Sequence, residues 1–197
     1  TGVQTCALPI LKAEYPKYLN NKKVTIKISG CMNACGQHNM AHIGFQGMSI
    51  RTKDKLVAPA LQILLGGGVL GNGQGRFSDK VIKIPSKRGP EALRLLLNDI
   101  EANKNTDEDF LSYYDRQGKI YFYDLLKSLS DINNLQADDF IDWGHDENYV
   151  KAIGVGECAG VVIDLIATLL FESEEKLENA QEAIKEKQWS EIGRAHV

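Results

Sequence analysis

Two cysteines near the start of the chain have the type and spacing to do chemistry. Cys31 and Cys35 are separated by three residues, and Gly30 and Gly36 flank them. Glycine permits backbone angles that a residue with a Cβ atom resists, so a turn of this composition can bring both thiols to one metal centre. Thiolate is the ligand that iron–sulfur clusters use. Two thiolates are half of such a site, so the pattern predicts that further ligands come from elsewhere.

Two other interpretations of these cysteines stay open. His38 and His42 follow them, and zinc is bound by cysteine and histidine. The spacing disfavours a zinc site, because structural zinc sites normally separate their two ligand pairs by a longer segment. The second alternative is a pair of buried thiols without a ligand role, since free cysteine is among the most buried residue types.

The elements that must position these thiols are short strands. Val24, Ile26 and Ile28 alternate with polar residues, which predicts a half-buried strand that runs directly into the cysteines. Residues 43–50 and 61–65 indicate two further strands, with a turn at 53–55. The sequence therefore predicts an α+β fold with an antiparallel sheet and with the cysteines at a strand end.

A glycine-rich segment and several helical segments complete this part of the chain. Six of the ten residues from Gly66 to Gly75 are glycine, which indicates tight turns or close backbone approach to a ligand, or else a flexible surface loop. Residues 80–84 predict a strand. Pro90 opens a helix that is predicted to continue to Asn103, and residues 110–118 and 120–129 predict either two short helices or a helix and a turn.

The stretch from Ser29 to Gly47 resembles the sirohaem and iron–sulfur domain of the nitrite and sulfite reductase family. That family's pattern is a small residue, Gly, Cys, Pro, Asn, any residue, Cys and Gly, followed by a strand with Ile-Gly and a further Gly. The matching positions are Ser29, Gly30, Cys31, Asn33, Cys35, Gly36, Ile43, Gly44 and Gly47. The resemblance continues through the glycine-rich segment and the Pro90 helix, and it covers residues 11–128.

The resemblance implies a cofactor pair and a role for each site residue. In the family, four cysteines in a CxxxxxC and a CxxxC pair hold a [4Fe-4S] cluster. Carried over by position, Cys31 is a cluster ligand, and Cys35 is both a cluster ligand and the axial thiolate of the sirohaem iron. A shared sulfur couples the cluster to the haem, and the axial ligand is a main lever on haem chemistry. Asn33, Gly36 and Gln37 are expected to line the sirohaem pocket.

Two departures from the family pattern bear on this expectation. Met32 stands where the family often has proline, which matters little because Gly30 and Gly36 can make the turn. The upstream CxxxxxC pair is not present in the chain. Cys6 lies in residues 1–10, which are similar to translated sequencing adapter, as are residues 191–197, so Cys6 is not expected to be a third ligand.

Composition and charge describe an ordinary soluble protein with 43% hydrophobic residues and a net charge of −3. No apolar run is long enough for a transmembrane helix, and no signal peptide is recognisable. We therefore expect a cytoplasmic protein with no nucleic-acid or membrane partner. The family implies nitrite or sulfite as substrate, a ferredoxin or flavoprotein as electron donor, and contacts with N-terminal domains of the same chain.

The C-terminal part of the chain has an excess of acidic side chains. Residues 131–190 carry fourteen acidic and four basic side chains. Residues 129–190 are predicted to be an acidic linker followed by a long helix from Ala159 to Lys187, which is similar to the start of an appended helical domain of the HEPN type. Cys158 is expected to be a small buried residue at the start of that helix.

These expectations combine into one function and one alternative. The chain is expected to be the C-terminal part of a sirohaem and [4Fe-4S] oxidoreductase that reduces nitrite to ammonia or sulfite to sulfide with six electrons, and that is inactive as an isolated fragment. The alternative is a non-catalytic iron–sulfur or zinc-binding module with a helical interaction tail.

Overall fold

A computed structural model of the chain describes residues 9–19, 23–150, 170–171, 173–178, 180–181 and 184–185. The backbone divides into two compact units after Lys151. The described residues do not include Cys6, Cys158, most of the predicted Ala159–Lys187 helix, or the adapter-like residues 1–8 and 191–197. In the second unit, the described positions from 170 to 185 are helical.

The first unit is built on a four-stranded sheet. Its strands, in the order in which they lie side by side, are β1 (Ile26–Ser29), β2 (Ile43–Arg51), β3 (Val57–Leu65) and β6 (Asp79–Pro85). Alternating apolar residues in β1 and a longer, largely buried run in β2 and β3 fit the edge and the centre of a sheet. With helices beside this sheet, the predicted α+β class is confirmed.

The predicted antiparallel sheet needs one correction, because β1 pairs with β2 in parallel. The β2–β3 and β3–β6 pairs are antiparallel as predicted. Parallel neighbours require a crossover connection of about a dozen residues. Residues 30–42, which carry both cysteines, supply that connection and include a 3₁₀ helix from His38 to Met40. The thiol segment is therefore the crossover of a mixed sheet.

The glycine-rich segment forms a hairpin of its own. Strands β4 (Gly68–Gly71) and β5 (Gln74–Arg76) pair in antiparallel orientation. Asn72 and Gly73 take positive φ angles of 51° and 75° at its tip, the geometry of a type I′ turn. Of the two open interpretations, the tight turns are confirmed, whereas a ligand at this hairpin stays a prediction.

Residues 9–14 are helical, and Leu11 among them joins the core. Three longer helices that follow the sheet pack beside it: α1 (Gly89–Asn103), α2 (Phe110–Gln117) and α3 (Lys119–Leu126). Pro90 starts α1, and the Asp109 side chain caps α2 by accepting from the Ser112 amide at 2.7 Å. Strand and helix side chains form one apolar cluster, which includes Ile43, Phe45, Ile63, Leu65, Ile84, Leu93, Leu96, Leu97, Ile100, Tyr113 and Phe122. This cluster fixes the sheet from which the thiol segment projects.

Residues after α3 belong to the first unit as far as Lys151. Two 3₁₀ helices, Lys127–Ser130 and Ala137–Phe140, lie in this part. The Trp143 indole donates to the Ser86 carbonyl oxygen at 3.2 Å, and Arg88 donates to the Leu129 carbonyl oxygen at 2.8 Å. Among the described residues, no helix is both long and apolar enough to cross a membrane.

Candidate thiol site

Both cysteines of the crossover are exposed to solvent. Cys31 and Cys35 are free thiols on the short segment that leaves the end of β1. Met32 between them is 79% exposed. The buried-thiol interpretation is therefore wrong for both residues. Since residues 29–47 contain no Asp, Glu, Lys or Arg, the segment itself places no fixed charge beside the thiols.

Glycines of the motif let this segment lie directly on the strand backbone. A Cβ atom on Gly36 would stand 2.3 Å from the Ile28 carbonyl oxygen, and one on Gly47 would stand 2.3 Å from the Gly30 carbonyl oxygen. Contacts this short are repulsive, so any side chain at either position would push the segment away from the sheet. The Gly36 amide also donates to Ser29 Oγ at 3.0 Å. The two glycines thus hold the thiols close to β1 and β2.

A third glycine accommodates the 3₁₀ helix that follows. A Cβ atom on Gly44 would stand 2.1 Å from the His38 carbonyl oxygen. This contact sets the 3₁₀ helix against β2, so the far end of the thiol segment is also held at backbone distance. Ser78 on the hairpin side reinforces the same helix, because its amide donates to the Asn39 carbonyl oxygen at 2.8 Å.

The thiol segment turns through two left-handed residues. Ala34 and Gln37 have φ angles of 57° and 56°, a conformation that costs free energy for a residue with a Cβ atom. The Gln37 amide donates to the Ala34 carbonyl oxygen at 2.6 Å, which closes the turn around Cys35. Lys27 Nζ donates to Gln37 Oε1 at 2.6 Å and ties the end of the turn to β1.

All five predicted site residues lie on this one segment and are exposed: Cys31, Asn33, Cys35, Gly36 and Gln37. Sequence reasoning missed the supporting residues Thr25 and Lys27, and it matched Ser29 to the family pattern without assigning its contact with Gly36. The polar positions of the alternating segment were the available signal, since Thr25, just before β1, and Lys27 and Ser29 within it contact the crossover rather than solvent alone.

Thr25 and His42 close the base of the crossover. The Thr25 amide donates to His42 Nδ1 at 2.9 Å, and the His42 amide donates to Thr25 Oγ1 at 3.1 Å. The His42 ring packs on Phe110, with 5.0 Å between ring centroids. Burial lowers the pKa of His42 below 6.5, and the nearby Asp109 carboxylate opposes that shift.

His38 is buried beneath the segment. Its side chain is 2% exposed and its Nδ1 atom has no hydrogen-bond partner. Burial lowers the pKa of His38, a hydrogen bond with Gln46 opposes this, and the Lys80 charge lowers the pKa further. Both crossover histidines are therefore held toward the neutral form by their surroundings.

Among the described residues, the structure does not bring Cys31, Cys35, His38 and His42 together as the zinc alternative expects. Within residues 9–19 and 23–150 and the described helical positions beyond them, no group of three or more His, Cys, Asp or Glu residues could hold a metal ion. His42 Nδ1 is occupied by the Thr25 amide, and His38 is buried while both thiols are exposed. The described chain thus offers a pair of thiols.

A small cavity lies at the sheet end next to the first cysteine. Its volume is about 100 Å³, and its lining includes Ser29, Gly30 and Met48 together with Asp142 and Tyr149 from the end of the unit. Asp142 and Tyr149 therefore line a cavity at the start of the thiol segment, although they lie beyond the part of the chain that carries the motif.

Fold and site together define an α+β domain that presents an exposed dithiol on a tightly held crossover. No protein-family model matches the chain, and no curated protein matches it. Among solved structures, the chain is similar to the Mycobacterium tuberculosis NirA protein, at 18% sequence identity and a TM-score of 0.49. The similarity covers 61% of this chain and 22% of NirA, so the chain spans about a fifth of that protein's length. A likeness of this degree carries no argument about function.

Proposed function

We propose that this chain is part of a sirohaem-dependent nitrite or sulfite reductase, in which Cys31 and Cys35 are two of the four ligands of a [4Fe-4S] cluster. One observation carries the proposal. Both thiols are exposed on a single short segment that lies against the strand backbone: an added Cβ atom on Gly36 of the segment would stand 2.3 Å from the Ile28 carbonyl oxygen in β1, and one on Gly47 in β2 would stand 2.3 Å from the Gly30 carbonyl oxygen of the segment. Such a segment holds two thiolates in fixed positions at the surface, as a cluster shared with another domain requires.

The donor chemistry of the segment fits half of such a cluster. Two cysteine thiolates are available, and the described residues offer no third His, Cys, Asp or Glu beside them. In the proposal, the remaining two cysteines and the basic residues that bind the anionic substrate come from N-terminal domains of the same protein. The isolated chain would therefore lack activity.

Each residue of the segment has a defined task in the proposal. Cys35 would also hold the sirohaem iron through its thiolate, and Asn33, Gly36 and Gln37 would line the macrocycle. Lys27 holds the Gln37 side chain through its 2.6 Å hydrogen bond and so orients that part of the pocket. When bound, the coupled centre would pass electrons one at a time from the external donor to the substrate, for the six-electron reduction of nitrite to ammonia or of sulfite to sulfide. The proposed electron donor is a ferredoxin or a flavoprotein. The proposed location is the cytoplasm.

The test requires the longer protein that contains this chain, reconstituted with iron, sulfide and sirohaem without oxygen. We expect sirohaem absorption bands and reduction of nitrite or sulfite with an artificial electron donor. Cys35→Ser should abolish the coupling between sirohaem and cluster. Cys158→Ser is the matched control, because it also removes one thiol but lies outside the motif.

Three outcomes would contradict the proposal. A preparation without sirohaem bands would reject the reductase assignment. Sirohaem without reduction of either anion would favour the non-catalytic module. Normal sirohaem–cluster coupling in Cys35→Ser would show that the bridging ligand is another residue.

A further inference from the structure

Thr25 and His42 stand at the two ends of the crossover that carries the thiols. Thr25 directly precedes β1, and His42 directly precedes β2. Two hydrogen bonds run between them in opposite directions, from the Thr25 amide to His42 Nδ1 at 2.9 Å and from the His42 amide to Thr25 Oγ1 at 3.1 Å. A third bond, from the Ile43 amide to the Thr25 carbonyl oxygen at 3.0 Å, lies beside them.

These bonds specify the chemical state of His42. Because Nδ1 accepts a hydrogen bond from a backbone amide, it carries no proton, and the ring is neutral with its proton on Nε2. Phe110 packs against the ring, and a Cβ atom on Gly68 would stand 3.1 Å from Nε2. The surrounding residues thus hold the imidazole in the orientation that the Thr25 amide requires.

We propose that Thr25 and His42 are positioning residues: their reciprocal side-chain-to-backbone bonds close the base of the crossover and fix the separation of Cys31 and Cys35. Without these bonds, β1 and β2 still pair, but the segment between them is free to change its path. That freedom would lower the ability of the two thiols to bind one ion together. The role of these hydrogen bonds in cluster binding rests on the proposed function, whereas their effect on the separation of the two thiols does not.

Cadmium alone is a suitable probe of the thiol pair, because it binds thiolates and its complex absorbs in the ultraviolet. The full chain carries Cys6→Ser and Cys158→Ser in every sample, so that only the two site thiols remain. His42→Leu removes the acceptor for the Thr25 amide. His42→Asn is its matched control, because an asparagine oxygen can take the place of Nδ1.

We expect His42→Leu to bind cadmium about tenfold more weakly than the parent and His42→Asn to stay within about threefold of it, where tenfold corresponds to about 1.4 kcal/mol. Thr25→Val, which is close in shape and lacks only the hydroxyl acceptor, should also weaken binding, and Thr25→Ser should restore it. The Thr25 pair keeps the test decisive if His42→Leu does not fold. Cys35→Ser gives the affinity of a single thiol.

Parent-like cadmium affinity in folded Thr25→Val or His42→Leu would overturn the proposal. Equal losses in His42→Leu and His42→Asn would also do so, because the loss would then follow from the ring and not from the hydrogen bond. The outcome is separable from the reductase assignment. A preparation of the longer protein without sirohaem would reject that function and leave the cadmium series unaffected.

Discussion

Gly36→Ala is the substitution that most directly perturbs the path of the thiol segment. The added Cβ atom would stand 2.3 Å from the Ile28 carbonyl oxygen and 2.9 Å from Ser29 Oγ, whereas ordinary contacts begin near 3.4 Å. The nearer atom belongs to a strand backbone and cannot rotate away. The segment must therefore move outward by about 1 Å, which also stretches the Gly36 amide bond to Ser29 Oγ.

The expected cost follows from three contributions. Overpacking costs about 1–3 kcal/mol, and the exposure of residue 36 favours the lower half of that range. Loss of the amide bond to Ser29 costs about 1 kcal/mol. Alanine restricts the unfolded chain and returns about 0.4–1 kcal/mol. We expect the free energy of unfolding to fall by about 1–2 kcal/mol.

The control for this substitution is Gly75→Ala in the hairpin. There the added Cβ atom would meet the terminal methyl of Met40 at 3.1 Å, and that flexible side chain can move. We expect a change within about 0.5 kcal/mol. Urea unfolding followed by the fluorescence of Trp143, in a Trp189→Phe background, measures both variants. Equal stability and equal cadmium affinity for Gly36→Ala and Gly75→Ala would refute the close-contact argument.

Three further predictions concern the same unit. Ala34→Gly should raise the free energy of unfolding by about 0.5 kcal/mol, because glycine relieves the strain of a left-handed φ of 57°. Part of this gain is lost because glycine increases the entropy of the unfolded chain. A lower free energy of unfolding, measured by urea titration, would contradict this prediction. Asp99→Leu should lower the free energy of unfolding by about 3 kcal/mol, since the hydroxyls of Tyr113 and Tyr121 both donate to this carboxylate at 2.5 Å. An unchanged midpoint of urea unfolding would be inconsistent with that role. Burial lowers the pKa of His42, so its contribution to stability is complete above pH 6.5 and is lost as pH falls from there through the folded-state pKa. His42→Asn should make this part of the stability profile less steep, with the remaining slope contributed by His38, whose pKa is also lowered by burial; an unchanged slope would argue against it.

Much of the sheet could be predicted because its signal is local. Alternation at Ile26 and Ile28 and the apolar runs of β2 and β3 identified three strands. The parallel pairing of β1 and β2 was missed, since it depends on how residues 30–42 cross from one strand to the next. The turn at Asn72-Gly73 was a usable signal for the hairpin, but the surrounding glycines also fitted a loop.

For the thiol site, too, the local features could be predicted from the sequence and the long-range contacts could not. The spacing of Cys31 and Cys35 and the flanking glycines could be recognised from sequence, because each is a local feature of the backbone. The pairing of Thr25 with His42 could not, because it joins residues 17 positions apart through a contact that exists only when the sheet has formed. Trp143 likewise reaches Ser86 from a part of the chain whose acidic composition favoured a linker.

The most direct test of the central claim is the electron paramagnetic resonance spectrum of the longer protein after anaerobic reconstitution with sirohaem, iron and sulfide. We expect a sirohaem iron signal that is coupled to a [4Fe-4S] cluster, and loss of that coupling in Cys35→Ser but not in Cys158→Ser. A preparation that binds neither cluster nor sirohaem, or a Cys35→Ser variant with the parent's coupled spectrum, would contradict it.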